Sequence, residues 1–134
     1  TVAVALPASA AEPGPTRLAS VNEQGVQAEA SSSPVDLSAD GRHVVFRSAA
    51  ATLVPGDTNG RVDAFVRDMV DDSVERVSVD EEGDQLPGHS RAVAASADAS
   101  LVLFNHTQVL ETADGTRYEE TVYLHDRSSG TSRE

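Results

Sequence analysis

Three oxygen-donor side chains lie close together in the segment 57–63, where Asp57, Asn59 and Asp63 flank Gly60. Carboxylate and amide oxygens grouped around a tight turn are the ligands that a hard cation such as Ca²⁺ prefers. The spacing differs from that of an EF-hand loop, which also needs a distal glutamate. The preferred interpretation is an Asx turn, in which Asp57 and Asn59 bond their own backbone, and a Ca²⁺ site is the alternative.

The other side chains that could support catalysis form no recognisable motif. The histidines, at positions 43, 89, 106 and 125, are not spaced as H-x-x-x-H or H-E-x-x-H, so a local zinc site has no support. The sequence contains no G-x-S-x-G, no phosphate-binding glycine loop and no cysteine. A Ser–His–Asp triad could assemble only from separate parts of the fold. We therefore predict that the chain is not an enzyme and carries no cofactor.

An internal repeat must position any site in this chain. The segment Ser38–Phe46, which reads SADGRHVVF, returns 58 residues later as Ser96–Phe104, which reads SADASLVLF. Phe65–Asp68 and Tyr123–Asp126 match at the same spacing. A period of this length indicates supersecondary units that stack on one another.

Within each repeat, apolar residues alternate with polar ones, as they do in strands. The pattern predicts strands over 34–38, 43–48, 63–69 and 74–79, then over 92–96, 101–106 and 121–126. We expect the second repeat to stop at Arg133–Glu134, where its fourth strand should begin. Residues 17–22 resemble 76–80 and predict a strand that closes a ring.

Four short antiparallel strands per repeat are typical of a β-propeller blade. We therefore predict an all-β fold of four-stranded antiparallel sheets, with blade one at about 34–79 and blade two at about 92–134. A propeller needs about four to eight blades. The chain would then supply about two blades of a larger or incomplete propeller.

Matching aspartates mark the turns of both repeats. Asp40 and Asp98 occupy one turn position, and Asp68 and Asp126 occupy the end of one strand. We expect all four to accept backbone N–H bonds, which makes them structural residues. Gly41 allows a positive φ in the first turn, where the second repeat has alanine.

The segments Ser38–Phe46 and Asn59–Asp68 resemble the TolB-like, or WD-repeat-like, β-propeller family of bacterial exported proteins. Repeats of that family typically read S-x-D-G-x-x-V-x-F, then a loop ending D-x-N-G, then D-x-F-V-x-D. The resemblance covers about 17–134 and implies a platform for binding proteins or ligands, sometimes attached to a peptidase domain. Thr121 replaces Asp63 in the second repeat, so a site built from that loop would exist only in the first repeat.

Charge and the N-terminal segment bear on partners and location. The 22 acidic and 10 basic residues give a net charge of −12, which disfavours nucleic acid as a partner. Residues 1–15 predict a signal-peptide remnant and linker, because an apolar run and an A-x-A pattern at Ala8 and Ala10 precede a Pro/Gly segment. No apolar stretch is long enough for a membrane span. We therefore expect a secreted or periplasmic protein.

These observations lead to one functional hypothesis and one alternative. The hypothesis is a non-catalytic exported scaffold that binds a protein, a glycan or an envelope component. The alternative is the propeller portion of a larger hydrolase or peptidase whose catalytic domain is missing from this chain. Exposed blade edges could also lead to self-association.

Overall fold

The computed structural model describes residues 16–134, and these form eight β-strands and no helix. The prediction of an all-β fold with four-stranded antiparallel sheets is therefore confirmed. None of the described residues belongs to a helix that could cross a membrane. The predicted signal-peptide remnant and linker over 1–15 lies outside the described residues.

The first sheet contains four antiparallel strands in chain order. These are β1 (Ser32–Leu37), β2 (His43–Ser48), β3 (Asp63–Asp68) and β4 (Val74–Arg76). The predicted second strand coincides with β2, and the predicted third strand differs from β3 by one residue. Gly41 adopts a φ of 72° in the β1–β2 turn, a conformation that costs glycine little.

The second sheet repeats this order with different strand lengths. It contains β5 (His89–Ala95), β6 (Leu101–Thr112), β7 (Gly115–Asp126) and β8 (Thr131–Arg133). Ala99 occupies the turn position of Gly41 and adopts a φ of 56° despite its side chain. The turn geometry is thus kept in both repeats although the glycine is not.

Several of the predicted strand assignments are wrong, and the strand predicted over 74–79 ends at Arg76 as β4. The second repeat does have its fourth strand, β8, which pairs with the end of β7 at Leu124–Asp126. The strands β6 and β7 continue as a hairpin through 107–120, whereas the sequence pattern predicts strands only over 101–106 and 121–126. The strand predicted over 17–22 is not formed, because no strand of either sheet pairs with it and only an isolated bridge joins Val21 to Gln27.

The main core lies between the two sheets. Strand β5 packs across β1, β2 and β3, so the sheets stack face to face. The buried core side chains come from both sheets and from the segment that joins them: Val45, Ala64, Val66, Val77, Leu86, Ala92, Ala99, Val102 and Phe104. Removal of this apolar surface from water is the principal term that holds the two sheets together.

A second, smaller core covers the opposite face of the first sheet. Phe46 and Phe65 stack there with ring centroids 5.5 Å apart. The loop between β2 and β3 folds back over them and buries Ala50 and Leu53. The first sheet is therefore covered on both faces, on one by the second sheet and on the other largely by its own loop.

Candidate functional site

The three predicted oxygen donors lie where the first sheet meets the segment that leads into the second sheet. Asp63 is the first residue of β3 and is fully buried. Its Oδ1 accepts a hydrogen bond of 2.5 Å from the Ser78 hydroxyl, and its Oδ2 accepts one of 3.2 Å from Gln85 Nε2. The carboxylate is thus held by two neutral donors that follow β4 in the chain.

Gln85 ties this carboxylate to the loop between β2 and β3. Its Nε2 also donates to Asp57 Oδ1 at 2.9 Å, and its Oε1 accepts from the Thr58 backbone N–H at 3.1 Å. One amide side chain therefore connects two carboxylates and a loop backbone. We call Asp57, Asn59, Asp63, Ser78 and Gln85 the inter-sheet loop cluster.

Asn59 contributes both ends of its amide to the cluster. Its Oδ1 accepts from the Arg61 backbone N–H at 2.8 Å, which is the local bond of an Asx turn. Its Nδ2 donates to the Leu86 carbonyl at 2.9 Å. The Asx-turn interpretation therefore describes Asn59, whereas Asp57 bonds Gln85 across 28 residues of chain.

Burial of Asp63 dominates the electrostatics of the cluster, and the positive charge of Arg76 is the smallest of the causes that act on its pKa. Burial raises the pKa of Asp63, the Ser78 hydrogen bond partly offsets this, and the charge of Asp57 raises the pKa further. Among residues 16–134, no group of three or more His, Asp or Glu side chains is placed to hold a metal ion. The polar atoms of the cluster instead satisfy one another and fasten the loop to the start of the second repeat.

Sequence reasoning missed Ser78 and Gln85 as members of this cluster. The available signal was the match of Gly25–Gln27 to Gly83–Gln85 at the repeat spacing. That match located Gln85 in the repeat but gave no hydrogen-bond partner for it. These hydrogen bonds depend on the tertiary structure, in which the segment after β4 lies beside β3 and the Ala64 N–H donates to the Ser78 hydroxyl.

Two serine–histidine pairs lie in the second sheet. The Ser90 hydroxyl is 3.0 Å from His106 Nδ1, and the Ser132 hydroxyl is 3.0 Å from His125 Nδ1. A serine that attacks a substrate must be accessible, and its histidine is normally oriented by an acid. All four residues are buried, and within the described chain no carboxylate is hydrogen-bonded to either ring.

Burial lowers the pKa of both imidazoles, which favours their neutral form. Burial is the first cause that lowers the pKa of both His106 and His125, and the nearby His89 adds to the effect at His106. The first sheet has Ser32 and Ser48 at the positions of Ser90 and His106, and their hydroxyls are also 3.0 Å apart. The repeat thus places a hydrogen-bonded polar pair here in both sheets.

The aspartates at the matching turns bond the local backbone. Asp40 accepts from the Ser38 hydroxyl at 2.6 Å and from the Arg42 N–H at 3.0 Å, and both lower its pKa. Asp98 accepts from the Ser96 hydroxyl at 2.7 Å and from the Ser100 N–H at 3.0 Å, with the same effect on its pKa. These contacts fix the β1–β2 and β5–β6 turns.

The strand-end aspartates fix the turns that follow them. Burial opposes ionisation of Asp68, but the N–H groups of Asp71 and Val70 and the Arg42 guanidinium outweigh it, and its pKa falls to about 2. The Arg42 Nε lies 2.7 Å from Asp68 Oδ2. Asp126 accepts from the Ser128 hydroxyl and N–H, which lower its pKa in the same way.

A projecting hairpin is the element that only the second repeat has. We call residues 107–120 the arm, since β6 and β7 pair there as far as Thr112 and Gly115 with no third strand beyond Thr107. Val109 pairs with Tyr118, which is 72% exposed. The arm carries four acidic residues, at positions 111, 114, 119 and 120, against one arginine at 117.

No family model, curated protein or solved structure matches this chain.

Proposed function

We propose that this chain is a non-catalytic, exported binding scaffold of the β-propeller type, with each four-stranded sheet acting as one blade. The observation that carries the proposal is the 58-residue repeat. It gives two sheets of the same strand order that stack face to face on a common core. Stacked units of this kind provide a rigid frame on which loops and hairpins can be presented to a partner.

The polar chemistry of the described residues supports a scaffold. The carboxylates of the inter-sheet loop cluster bond Ser78 and Gln85, and the serines of both Ser–His pairs are buried. These groups stabilise the frame. A partner is therefore expected to bind at a surface whose side chains are exposed and free to make new contacts.

The arm is the surface that best suits a partner. It extends beyond the four-stranded part of the second sheet and exposes an aromatic side chain at Tyr118. Tyrosine is enriched at interfaces because its ring supplies apolar contact and its hydroxyl supplies a hydrogen bond. The acidic residues around it favour a partner with a basic surface. We therefore propose a basic protein or another basic component of the bacterial envelope as the partner.

The experiment is affinity capture from a bacterial envelope extract with the full chain as bait, repeated at low and high salt. The variant Tyr118→Ser removes the exposed ring. The control is Val26→Ser, which removes an exposed apolar side chain from the segment before β1. We expect a discrete partner with wild type and control, weaker capture with Tyr118→Ser, and release at high salt.

Two results would overturn the proposal. One is that nothing is recovered above the level of an empty matrix at low salt. The other is that Tyr118→Ser captures the same partner as strongly as the control, which would place the contact elsewhere than the arm.

A further inference from the structure

The β6 strand of the arm has an open edge. On one side, β5 pairs with β6 only as far as the partners His89 and Thr107. On the other side, β7 pairs with β6 along its whole length, from Leu101 to Thr112. Within the described chain, residues 108–112 of β6 therefore have a neighbouring strand on one side alone. We call this stretch of β6 the arm edge.

The chain that precedes β5 is held by the first sheet and does not cover the arm edge. The Ser90 N–H donates to the Val62 carbonyl at 2.6 Å, and the Leu86 carbonyl accepts from Asn59 Nδ2 at 2.9 Å. These contacts commit residues 86–90 to the β2–β3 loop. As a result, β5 does not extend alongside 108–112.

The backbone of two arm residues points outward from this edge. In an antiparallel sheet, successive residues direct their N–H and C=O groups to opposite neighbours in turn. The Leu101 carbonyl accepts from the Ser96 N–H on the β5 side, and β6 pairs with β7 without a bulge from there to Thr112. Odd-numbered residues of β6 therefore face the β5 side. Val109 and Glu111 thus present unpaired backbone donors and acceptors at the arm edge.

The arm edge has few of the features that protect a strand from pairing with another chain. Such features include proline, bulges and charged side chains. Residues 107–112 contain no proline and no bulge, and Glu111 is their only charged residue. The β7 edge of the arm is better protected, because Arg117, Glu119 and Glu120 lie within 115–120. The β6 side of the arm is therefore the better template for an added strand.

The side chains along the arm edge define the chemistry of a suitable occupant. Val109 and Glu111 lie on the same face of the arm as Tyr118, which is the cross-strand partner of Val109. A strand added at this edge would place one side chain beside Val109 and another beside Glu111. An apolar residue suits the first position, and lysine or arginine suits the second.

The charge of the chain disfavours a second copy as the occupant. Each copy has a net charge of −12, and the arm carries four acidic residues against one arginine. Two arms that paired edge to edge would bring these like charges together. A basic segment from another protein would instead meet a complementary surface.

We propose that the arm edge binds an extended segment of a basic partner, which adds a strand beside β6 and carries alternating basic and apolar side chains. Main-chain hydrogen bonds to Val109 and Glu111 supply affinity in this mode, and the neighbouring side chains supply selectivity. The inference rests on the proposed function, to which it adds the mode of binding and the sequence pattern of the partner.

The test is a fluorescence anisotropy titration of the purified full chain with a short labelled peptide of alternating lysine and valine. A second peptide has proline in place of each valine, which keeps the charge and removes those N–H donors. The variant Val109→Pro removes an outward N–H and leaves the β6–β7 ladder intact. Its control is Thr116→Pro, which makes the same change at the β7 edge, since Thr116 pairs with Glu111.

Two further variants separate the backbone from the side chains. Val109→Thr keeps the N–H group and the β-branched shape. Glu111→Lys reverses the charge beside the added strand without changing the backbone, so it tests the proposal even where the proline variant fails to fold.

We expect Val109→Pro to raise the Kd of the lysine–valine peptide by about tenfold, because a hydrogen bond is lost and the ring obstructs the added strand. Glu111→Lys should raise this Kd by about fivefold or more, since an attraction becomes a repulsion. Val109→Thr and Thr116→Pro should stay within about threefold of wild type, and the lysine–proline peptide should bind about tenfold more weakly.

Three results would overturn the inference. One is an equal Kd for Val109→Pro and Thr116→Pro, and another is equal binding of the two peptides, which would reduce the interaction to charge alone. The third is a wild-type dimer in sedimentation velocity that Val109→Pro abolishes, because the occupant would then be a second copy. These results leave the proposed function standing if envelope capture still depends on Tyr118, whereas a failed capture rejects that function whatever the peptides do.

Discussion

The Ser78→Ala substitution tests whether the hydrogen bond to the buried Asp63 carboxylate stabilises the fold. Ser78 donates to Asp63 Oδ1 at 2.5 Å and accepts from the Ala64 N–H at 3.2 Å, and it is fully buried. Alanine removes both hydrogen bonds and leaves a small space. Water cannot readily replace the hydroxyl at a buried site.

The magnitude follows from the two bonds that are lost. A hydrogen bond to a charged group contributes about 1.5–3 kcal/mol, and a buried N–H left unpaired costs about 1–3 kcal/mol. Gln85 still donates to Asp63, and protonation of the carboxyl relieves part of the penalty. We therefore expect Ser78→Ala to lower the free energy of unfolding by about 3 kcal/mol at neutral pH.

The pH dependence provides a second readout. The folded pKa of Asp63 is already raised by burial, and loss of the Ser78 hydroxyl should raise it further. A raised carboxyl pKa means that ionisation destabilises the fold as pH rises through the folded pKa. The difference between wild type and Ser78→Ala should therefore shrink as the pH is lowered and Asp63 becomes protonated in both proteins.

The assay is urea unfolding at neutral and acidic pH, with Ser128→Ala as the control. Ser128 donates the same kind of bond to Asp126 at 2.6 Å, but at an exposed turn where water can replace it. The control should therefore be much less destabilised than Ser78→Ala. Equal losses for the two variants, or a Ser78→Ala loss that is independent of pH, would refute the reasoning.

Three further predictions concern Gly88, Asp68 and the alternative of a Ca²⁺ site. Gly88→Ala should lower the free energy of unfolding in urea by about 2 kcal/mol or more, because the new Cβ would lie 2.1 Å from the Thr107 carbonyl oxygen. The control is Gly60→Ala, whose Cβ would meet no atom within 4 Å. That variant should lose only the stability that corresponds to the strain of a positive φ at alanine. Asp68→Asn should lower the free energy of unfolding by about 1–2 kcal/mol at neutral pH, because the ion pair with Arg42 is lost. The loss stays modest because Arg42 is partly exposed and water screens its charge. The folded pKa of Asp68 is lowered to about 2, so its stabilisation is present above the unfolded value of 3.8, and the cost should fade as the pH drops from there toward 2. EDTA should leave Tm unchanged within about 1 °C, because the oxygens of Asp63 are already hydrogen-bonded. A Ca²⁺ site, by contrast, would add about 2.7 kcal/mol to the free energy of unfolding at a Ca²⁺ concentration one hundred times its Kd, and EDTA would remove that stabilisation.

Local signals predicted the parts of the fold that local chemistry controls. The alternation of apolar and polar residues over His43–Ser48 predicted the bounds of β2 correctly. Asp40 and Gly41 predicted the turn that connects β1 to β2. These features depend on side-chain period and on permitted backbone conformations, which neighbours in sequence largely decide. The same reasoning explains why the repeat could be recognised from its turns.

Other elements could not be predicted because their partners lie elsewhere in the chain. Thr131–Arg133 is short and has no apolar alternation, so β8 depends on the backbone of β7 beside it. The arm has a polar sequence, and it forms because β6 and β7 continue an existing ladder past Thr107. Residues 17–22 resemble 76–80 yet form no strand, and none of the described strands pairs with them.

The candidate site, too, could be predicted only in part from the sequence. From residue types and spacing alone, Asp57, Asn59 and Asp63 could be grouped, and the choice between an Asx turn and a cation site stayed open. The tertiary structure then placed Ser78 and Gln85 against the two carboxylates and buried Asp63. It also separated two chemically similar faces, burying Val45 and leaving Val122 in water. Sequence determines which residues can alternate, turn and repeat, whereas burial and charge depend on contacts between distant segments that only the stacking of the sheets creates.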